Sequence, residues 1–396
     1  MTATKTHNRD RPLLSVVIPS CNRHKYLLPV LRTLLTETEV ELVVSDNSDL
    51  ALSPGDLSTL GAGARLIYQH HTERLSVVDN FERGLQLATG EYLIFIGDDD
   101  CVGPGIENIV RWARTEGIDA VVSYRNRFIA SYFWPGVKSK YFGDGYAGKM
   151  FVARHSGRAR QLDTHAAIRG AAEHPGSGLC SMARAYHGIV SRKLVDRVVA
   201  KYGRLFGGVS PDIYSATLLT YEAHKAYVLD YPFIIPGASP PSTAGEGAAR
   251  KDTDGLKDRE HIRRFGDSLV WDARIPAFYS PITVWAYSQQ AALQLVNDPS
   301  LSLNFPALYL RCLVHYWKYR QNVTAAASHW RLDGGNALKM TVGLRALVVE
   351  CTSLVTRIWF KFVSPPEAFA GLQTIGDAYE LLKSRAGAWI APHPSR

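Results

Sequence analysis

The chain has 396 residues, of which 46% are apolar and 21% charged. That balance is ordinary for folded domains and excludes a disordered, collagen-like or disulfide-scaffold protein. Lysine and arginine outnumber acidic residues 45 to 37, a net charge of +8 that suits a phosphate-bearing small molecule or an anionic membrane face, and the scatter of the basic residues speaks against nucleic acid.

Cys21, Cys101, Cys180, Cys312 and Cys351 lie far apart with no CxxC spacing. A disulfide framework or structural zinc is therefore not expected, and a reducing cytoplasm fits. The start MTATKTHNRDRP has no apolar core of the signal-peptide kind. No uncharged apolar run reaches the roughly 18 residues of a membrane span.

Residues 1–12 read as a mobile tail. The run 14–19 (LSVVIP) is continuous and β-branched, as a strand buried on both faces should be. Leucines at 27, 28, 31, 34 and 35 make a helical stripe over 24–37. Strands follow at 41–46, 65–69 and 91–96, with a helix over 76–88 that stops at Gly90. A fifth strand is expected at 120–124. Residues 131–180 have weak periodicity and read as irregular, with room for a hairpin. Helices are expected at 191–202 and 211–226. The stretch 236–255 is rich in Pro, Gly, Ala and Ser and reads as a flexible linker. The pattern from 256 to the C-terminus is helical.

Strands alternating with helices predict an α/β fold with a mostly parallel sheet. Ligands in such sheets bind at the carboxyl ends of the strands. The segments to examine are therefore PSCNR (19–23), SDNS (45–48), HHTER (70–74) and GDDD (97–100). Asp98, Asp99 and Asp100 repel one another unless a cation is near. Oxygen ligands at a strand end favour a hard divalent ion that would bridge the phosphates of a nucleotide. A solvated acidic turn is the competing reading. GxGxxG and GxxxxGK[ST] are both absent, so any nucleotide is held by side chains and metal rather than a glycine cradle.

The strings SVVIPSCNR, ELVVSDNS and DNFERGLQLATGEYLIFIGDDDCVGPG resemble the N-terminal half of family-2 glycosyltransferases with the GT-A (Rossmann-like) fold. The resemblance covers about residues 13–125, and its finer form is most similar to dideoxyhexose (abequosyl-type) transferases of surface polysaccharides. It implies a GT-A domain over 13–235, with a nucleotide-sugar half at 13–125 and an acceptor half at 126–235, and a helical C-terminal region over 256–396. It further implies a nucleoside diphosphate sugar donor, a divalent metal (Mg or Mn) and a glycan or lipid-linked acceptor. Pro19, Asn22, Asp46, Arg74 and Asp98 fall where the family binds the nucleotide sugar. Asp99 falls at the main metal ligand, with Asp100 as a second. The family's first acidic position falls on Gly97 here, which keeps open a non-catalytic nucleotide- or glycan-binding protein on the same fold.

Inverting transfer needs a carboxylate to take the acceptor's proton. The resemblance places it at a helix start well past the acidic motif, and Asp212 in GGVSPDIYSATLL fits, with Pro211 at the first helical position. Helix-dipole stabilisation alone would also favour an Asp there. His174, His187, His224 and His261 are further metal candidates. Residues 341–363 are the most apolar stretch, interrupted by Arg345, Glu350, Arg357 and Lys361. They read as a packing helix or as a peripheral contact with the inner membrane face.

Overall fold

In the computed structural model, which describes residues 11–61, 63–123, 128–139, 142–179, 181–242, 255–333 and 365–387 with a few single positions besides, the first apolar runs form the centre of a sheet. In chain order the elements are β1 (Leu14–Ser20), α1 (His24–Glu37), β2 (Glu41–Asp46), α2 (Pro54–Leu60), β3 (Leu66–His70), α3 (Val77–Leu87), β4 (Tyr92–Phe95), β5 (Cys101–Val102), α4 (Ile106–Glu116) and β6 (Ala120–Val122). Then come β7 (Ala130–Phe133), β8 (Lys149–Val152), β9 (Ala159–Gln161), α5 (Thr164–Glu173), β10 (Gly188–Ser191), α6 (Arg192–Tyr202), α7 (Pro211–Glu222), β11 (Ala226–Leu229), β12 (Ile234–Ile235) and β13 (Gly237–Ala238). The last part holds α8 (Glu260–Arg263), α9 (Pro281–Val296), α10 (Phe305–His315), α11 (Arg320–Leu332), β14 (Glu367–Phe369) and α12 (Ile375–Ala386).

The large sheet has the order β3-β2-β1-β4-β10-β6-β11-β9. β1, β2, β3 and β4 run parallel, as do β6 and β11. β10 wedges between β4 and β6 in the opposite direction. The period-2 alternation of the strands sorts their side chains into two layers. Val16, Ile18, Leu42, Val44 and Ile94 pack with α1, α4 and α12 on one face. Val17, Val43, Leu93 and Phe95 pack with α3, α6 and α7 on the other. This is the expected α/β class with a helical C-terminal region.

Several boundaries differ from the sequence expectation. α3 stops at Leu87 rather than at Gly90. Buried Glu41 holds the turn that follows, accepting from the Thr89 amide at 2.8 Å and from the Ser15 hydroxyl at 2.6 Å. Gly90 is needed for close approach, since a Cβ there would lie 2.6 Å from the Ser15 amide nitrogen. The region 131–180 contains the β7–β8 hairpin and also α5, capped by Asp163 on the Ala166 amide. α7 ends at Glu222, where Lys201 (2.7 Å) and Tyr202 (2.6 Å) bind the Glu222 carboxylate.

The expected linker at 236–255 is corrected for its first part: β13 pairs with β7, and Ser239 is buried. The C-terminal helices are not a detached unit either. Ile375, Ala378 and Leu382 of α12 share a core with α1, and Ala292 and Val296 of α9 share one with α7. Residues 1–10 of the expected tail, and most of 341–363, lie outside the described residues. Among the described residues no helix is long and apolar enough to cross a membrane.

The Gly90→Ala substitution forces a methyl into the β1 backbone. It is expected to cost about 1–3 kcal/mol, the usual range for overpacking, as read by denaturant unfolding. An unchanged midpoint would mean that the turn relaxes freely.

Candidate active site

The site lies at the carboxyl ends of β1, β2 and β4. After β4 the chain turns through Asp98, Asp99 and Asp100, all buried. Burying a carboxylate is costly unless it is paired and hydrogen-bonded. Each of the three acquires partners from a different part of the chain.

Asn22, at the end of β1, adopts the left-handed conformation (φ 57°), which Asn tolerates better than most residues. Its amide nitrogen donates to Ser48 Oγ at 2.7 Å, and its side chain exchanges hydrogen bonds with Asp49. That turn delivers Arg23 to the cluster. Arg23 Nη1 lies 3.0 Å from Asp98 Oδ1, and Nη2 lies 2.6 Å from Asp99 Oδ2. Ser20 Oγ donates to Asp98 Oδ2 at 2.8 Å. Burial pushes the Asp98 carboxyl up to about 7, with Arg23 working against the rise.

Asp99 is reached from the far end of the domain. The amide and hydroxyl of Ser239 donate to its Oδ2 at 2.9 and 2.7 Å. Burial and the neighbouring Asp100 raise its pKa. Gly237 packs directly on the Asp99 carbonyl, where a Cβ would lie 1.8 Å from the oxygen.

Asp100 is the most heavily bonded of the three. It accepts from the Gly97 amide (2.6 Å), the Gly237 amide (2.6 Å), the Tyr186 hydroxyl (3.1 Å) and His187 Nε2 (2.6 Å). Burial pushes its pKa up, but His187 and these donors outweigh it and the net shift is down. Gly97 leaves the room for this, since a Cβ there would lie 2.9 Å from Asp100 Oδ2. His187 itself is held in a left-handed conformation (φ 59°), an uncommon one for this residue type.

Asp46 closes β2 and is fully buried. His24 Nε2 and the Tyr68 hydroxyl bind its Oδ2, each at 2.7 Å, and Ser48 binds Oδ1. Pro19 sits in β1 opposite Ser45. Arg74 is not brought to the acidic cluster. It is an exposed side chain paired with Glu260 of α8 at 2.8 Å. Arg264 takes the inner position, with Nη1 3.2 Å from Asn47 Oδ1.

Asp212 begins α7 and is half-buried. The Ser210 hydroxyl and the Ile213 amide both bind its Oδ1. Oδ2 accepts no hydrogen bond among the described residues. Burial raises its pKa, and the hydrogen bonds from Ser210 and Ile213, with a smaller contribution from His187, oppose the rise.

Arg23, Ser239, Tyr186 and Arg264 are site residues beyond the sequence candidates. Arg23 stands inside the quoted PSCNR string. Nothing local marks Ser239. Among the described residues no ready cluster of three His, Cys, Asp or Glu surrounds one point. The donor set nonetheless suits a hard cation, because Asp98 Oδ1 is buried without a hydrogen-bond donor and faces only the charge of Arg23.

Residues 15–170 match the family model described as Glycosyl transferase family 2. The PGL/p-HBAD biosynthesis glycosyltransferases of Mycobacterium tuberculosis and Mycobacterium bovis are 34% identical over 93 residues, 22% of this chain and 36% of theirs. The chain thus spans about a third of the length of these curated relatives. Among solved structures, S. aureus TarS is 15% identical, with 80% of this chain and 55% of that one covered at a TM-score of 0.41. Mannosyltransferase PcManGT from Pyrobaculum calidifontis, in complex with GDP-Man and Mn2+, is also 15% identical, with 94% and 86% covered at a TM-score of 0.40.

Arg23→Ala would leave two facing buried carboxylates. It is expected to lower stability by about 3 kcal/mol, as for other broken buried pairs, with Asp98→Asn in the same chain restoring much of the loss. Denaturant unfolding of the wild type, both single variants and the double variant measures the coupling; simple additivity would contradict this account.

Proposed function

We propose that the protein is an inverting glycosyltransferase that moves a sugar from a nucleoside diphosphate sugar to a hydroxyl of a glycan or lipid-linked acceptor in surface-polysaccharide assembly. The observation that carries this reading is the convergence of Asp98, Asp99 and Arg23, inside the stretch that matches the family, with His187 at the carboxyl ends of β1 and β4, while Asp212 starts α7 further along the chain. The relatives named as glycosyltransferases support it. The similarity of the NF…GDDD segment to dideoxyhexose transferases makes a dideoxyhexose donor the first to try. The chain would work at the cytoplasmic side, with a peripheral contact at the inner membrane face.

In this reading His24 and Tyr68, held by Asp46, shape the nucleoside end of the pocket, and Pro19 at the end of β1 and the turn at Asn22 lie beneath it. Arg74 stands at the rim and reaches the nucleotide once its exposed pair with Glu260 opens. A divalent Mg or Mn would be held by Asp99 with Asp98 beside it. Asp100, expected from sequence as a second ligand, has both oxygens committed to protein donors and would brace the pair from behind. When bound, the ion offsets charge on the diphosphate leaving group. Asp212 Oδ2 takes the proton of the acceptor hydroxyl as that oxygen bonds to the anomeric carbon. The bond from the anomeric carbon to the diphosphate oxygen breaks, and its electron pair leaves with the nucleoside diphosphate. A raised pKa suits a base that works near neutrality.

One observation favours a second reading, a nucleotide-binding protein without turnover: Arg23 already neutralises Asp98 and Asp99. Thermal unfolding with UDP, GDP, CDP and dTDP, each with and without Mn, tests both. A ligand at about 100 times its Kd should add about 2.7 kcal/mol of stability. The transferase reading expects a Mn-dependent shift with one nucleotide, lost in Asp99→Ala. No shift with any nucleotide would sink both readings, and a shift with no sugar transfer to any supplied acceptor would leave the binder.

Asp212→Asn should keep the nucleotide shift and lose about 10²–10⁴-fold in kcat, the usual worth of a general base. Burial raises its pKa, so the base is protonated as pH falls through a value above that of an ordinary Asp. Wild-type kcat/KM should therefore decline on the acid side above about pH 4. An Asp212→Asn enzyme with wild-type kcat would remove Asp212 from the mechanism.

A further inference from the structure

A second concave site lies in the helical layer, away from the acidic cluster. It is a groove of about 470 Å³, within the range of about 300–1,000 Å³ typical of small-molecule sites. Three walls form it: one face of α9, the end of α11 and the loop over residues 270–274.

The α9 wall carries Tyr287, Gln290, Ala291 and Gln294, which the 3–4 residue spacing brings to one face. Tyr287 is rigid. It stacks on Trp271 with ring centroids 4.5 Å apart and an interplanar angle of 5°, and its hydroxyl donates to the Val270 carbonyl at 2.9 Å. The two carboxylates Asp272 and Asp333 outnumber the one permanent cation, Arg274, so the groove is net negative. Arg274 binds Asp272 through two contacts, at 2.9 and 2.6 Å, and lies 3.7 Å from Asp333. Arg274 is therefore committed to carboxylates and is not free to receive a phosphate; the other basic side chain in the lining is His329. Gln290 differs from its neighbours. It is only 9% exposed, lines the groove and makes no hydrogen bond among the described residues. Its side-chain amide carries no protein partner among those residues and is available to the hydroxyl groups of an occupant.

We propose that this groove binds a neutral saccharide unit, seated against Tyr287 and hydrogen-bonded by the Gln290 and Gln294 amides. A rigid aromatic wall, uncommitted planar amides and a net negative charge suit a polyol and disfavour a diphosphate. The assignment deepens the transferase reading, on which its role as a seat for acceptor sugars rests. The groove and the catalytic helix are linked through α9, since Ser288 Oγ accepts from the amides of Val209 and Ser210 at 3.1 and 2.9 Å, just before Asp212.

The test is saturation-transfer NMR on the full chain with maltose, cellobiose and α-1,2-mannobiose, without donor and then with excess UDP or GDP and Mn. At least one disaccharide should give a signal that persists in nucleotide and in Asp99→Ala. The signal should fall about tenfold in Gln290→Leu and in the surface variant Gln294→Ala, whose unfolding midpoints are checked alongside. No signal with any disaccharide, a signal displaced by nucleotide, or an undiminished signal in both glutamine variants would overturn the proposal. Because the readout needs no turnover, saccharide binding without sugar transfer would uphold the groove while the transferase reading fails.

Discussion

Three consecutive buried carboxylates must be neutralised, and much of the site's architecture follows from that. Asp98 and Asp99 share Arg23, Asp100 takes His187, and the amides of Gly237 and Ser239 complete the set. A buried charge without partners would cost several kcal/mol, comparable to the net stability of a domain. The chain therefore has to bring residues 20–23, 97–100, 186–187 and 237–239 to one place. The reversed strand β10 serves this purpose. Because it runs antiparallel to β4, with Val190 opposite Leu93, its first residues lie at the carboxyl end of β4. His187 immediately precedes it and meets Asp100 there. A parallel strand in that slot would begin at the opposite edge of the sheet.

The amino ends of the same strands are held by a second polar cluster. Glu41 binds Ser15 and Thr89, while Ser15 Oγ also accepts from the Gly90 amide at 2.7 Å. The Thr-Gly-Glu-Tyr string is thus a structural device, distant from the chemistry at the other end of β4. It fixes where β4 starts, and so where the three aspartates emerge.

The central strands were legible because they are buried on both faces and read as continuous β-branched runs. The start of α7 is legible because Ser-Pro-Asp is a helix-start signal that survives without tertiary context. α5 was missed because its buried stripe is small, Ile168 with Ala171 and Ala172, and its cap residue Asp163 stands in a region of weak periodicity. The segment 236–255 reads as a linker from its Pro, Gly, Ala and Ser content. Those residue types are present for close approach: Gly237 must clear the Asp99 carbonyl, and Ser239 must reach its carboxylate across 140 positions of sequence. Composition reports local flexibility and is blind to a contact at that separation. Arg74 and Arg264 show the same limit, since two arginines near one strand end are alike in sequence and only packing decides which faces inward.

The helical region past residue 255 holds the turn that precedes Asp212. The turn before Asp212 has no partner strand to hold it, and its Val209 and Ser210 amides are both spent on Ser288 of α9. Gly208 lies so close to that helix that a Cβ would meet Ser288 Oγ at 2.7 Å. The orientation of the carboxylate that would serve as base therefore depends on α9 sitting flush against α7. α9 is in turn buried against α10 and α11 through Ile282, Ala286 and Leu293 in a separate apolar core. The sheet positions the acidic cluster and the helical layer positions Asp212. Their spacing is set where α7 packs against both, between the β4 side of the sheet and α9.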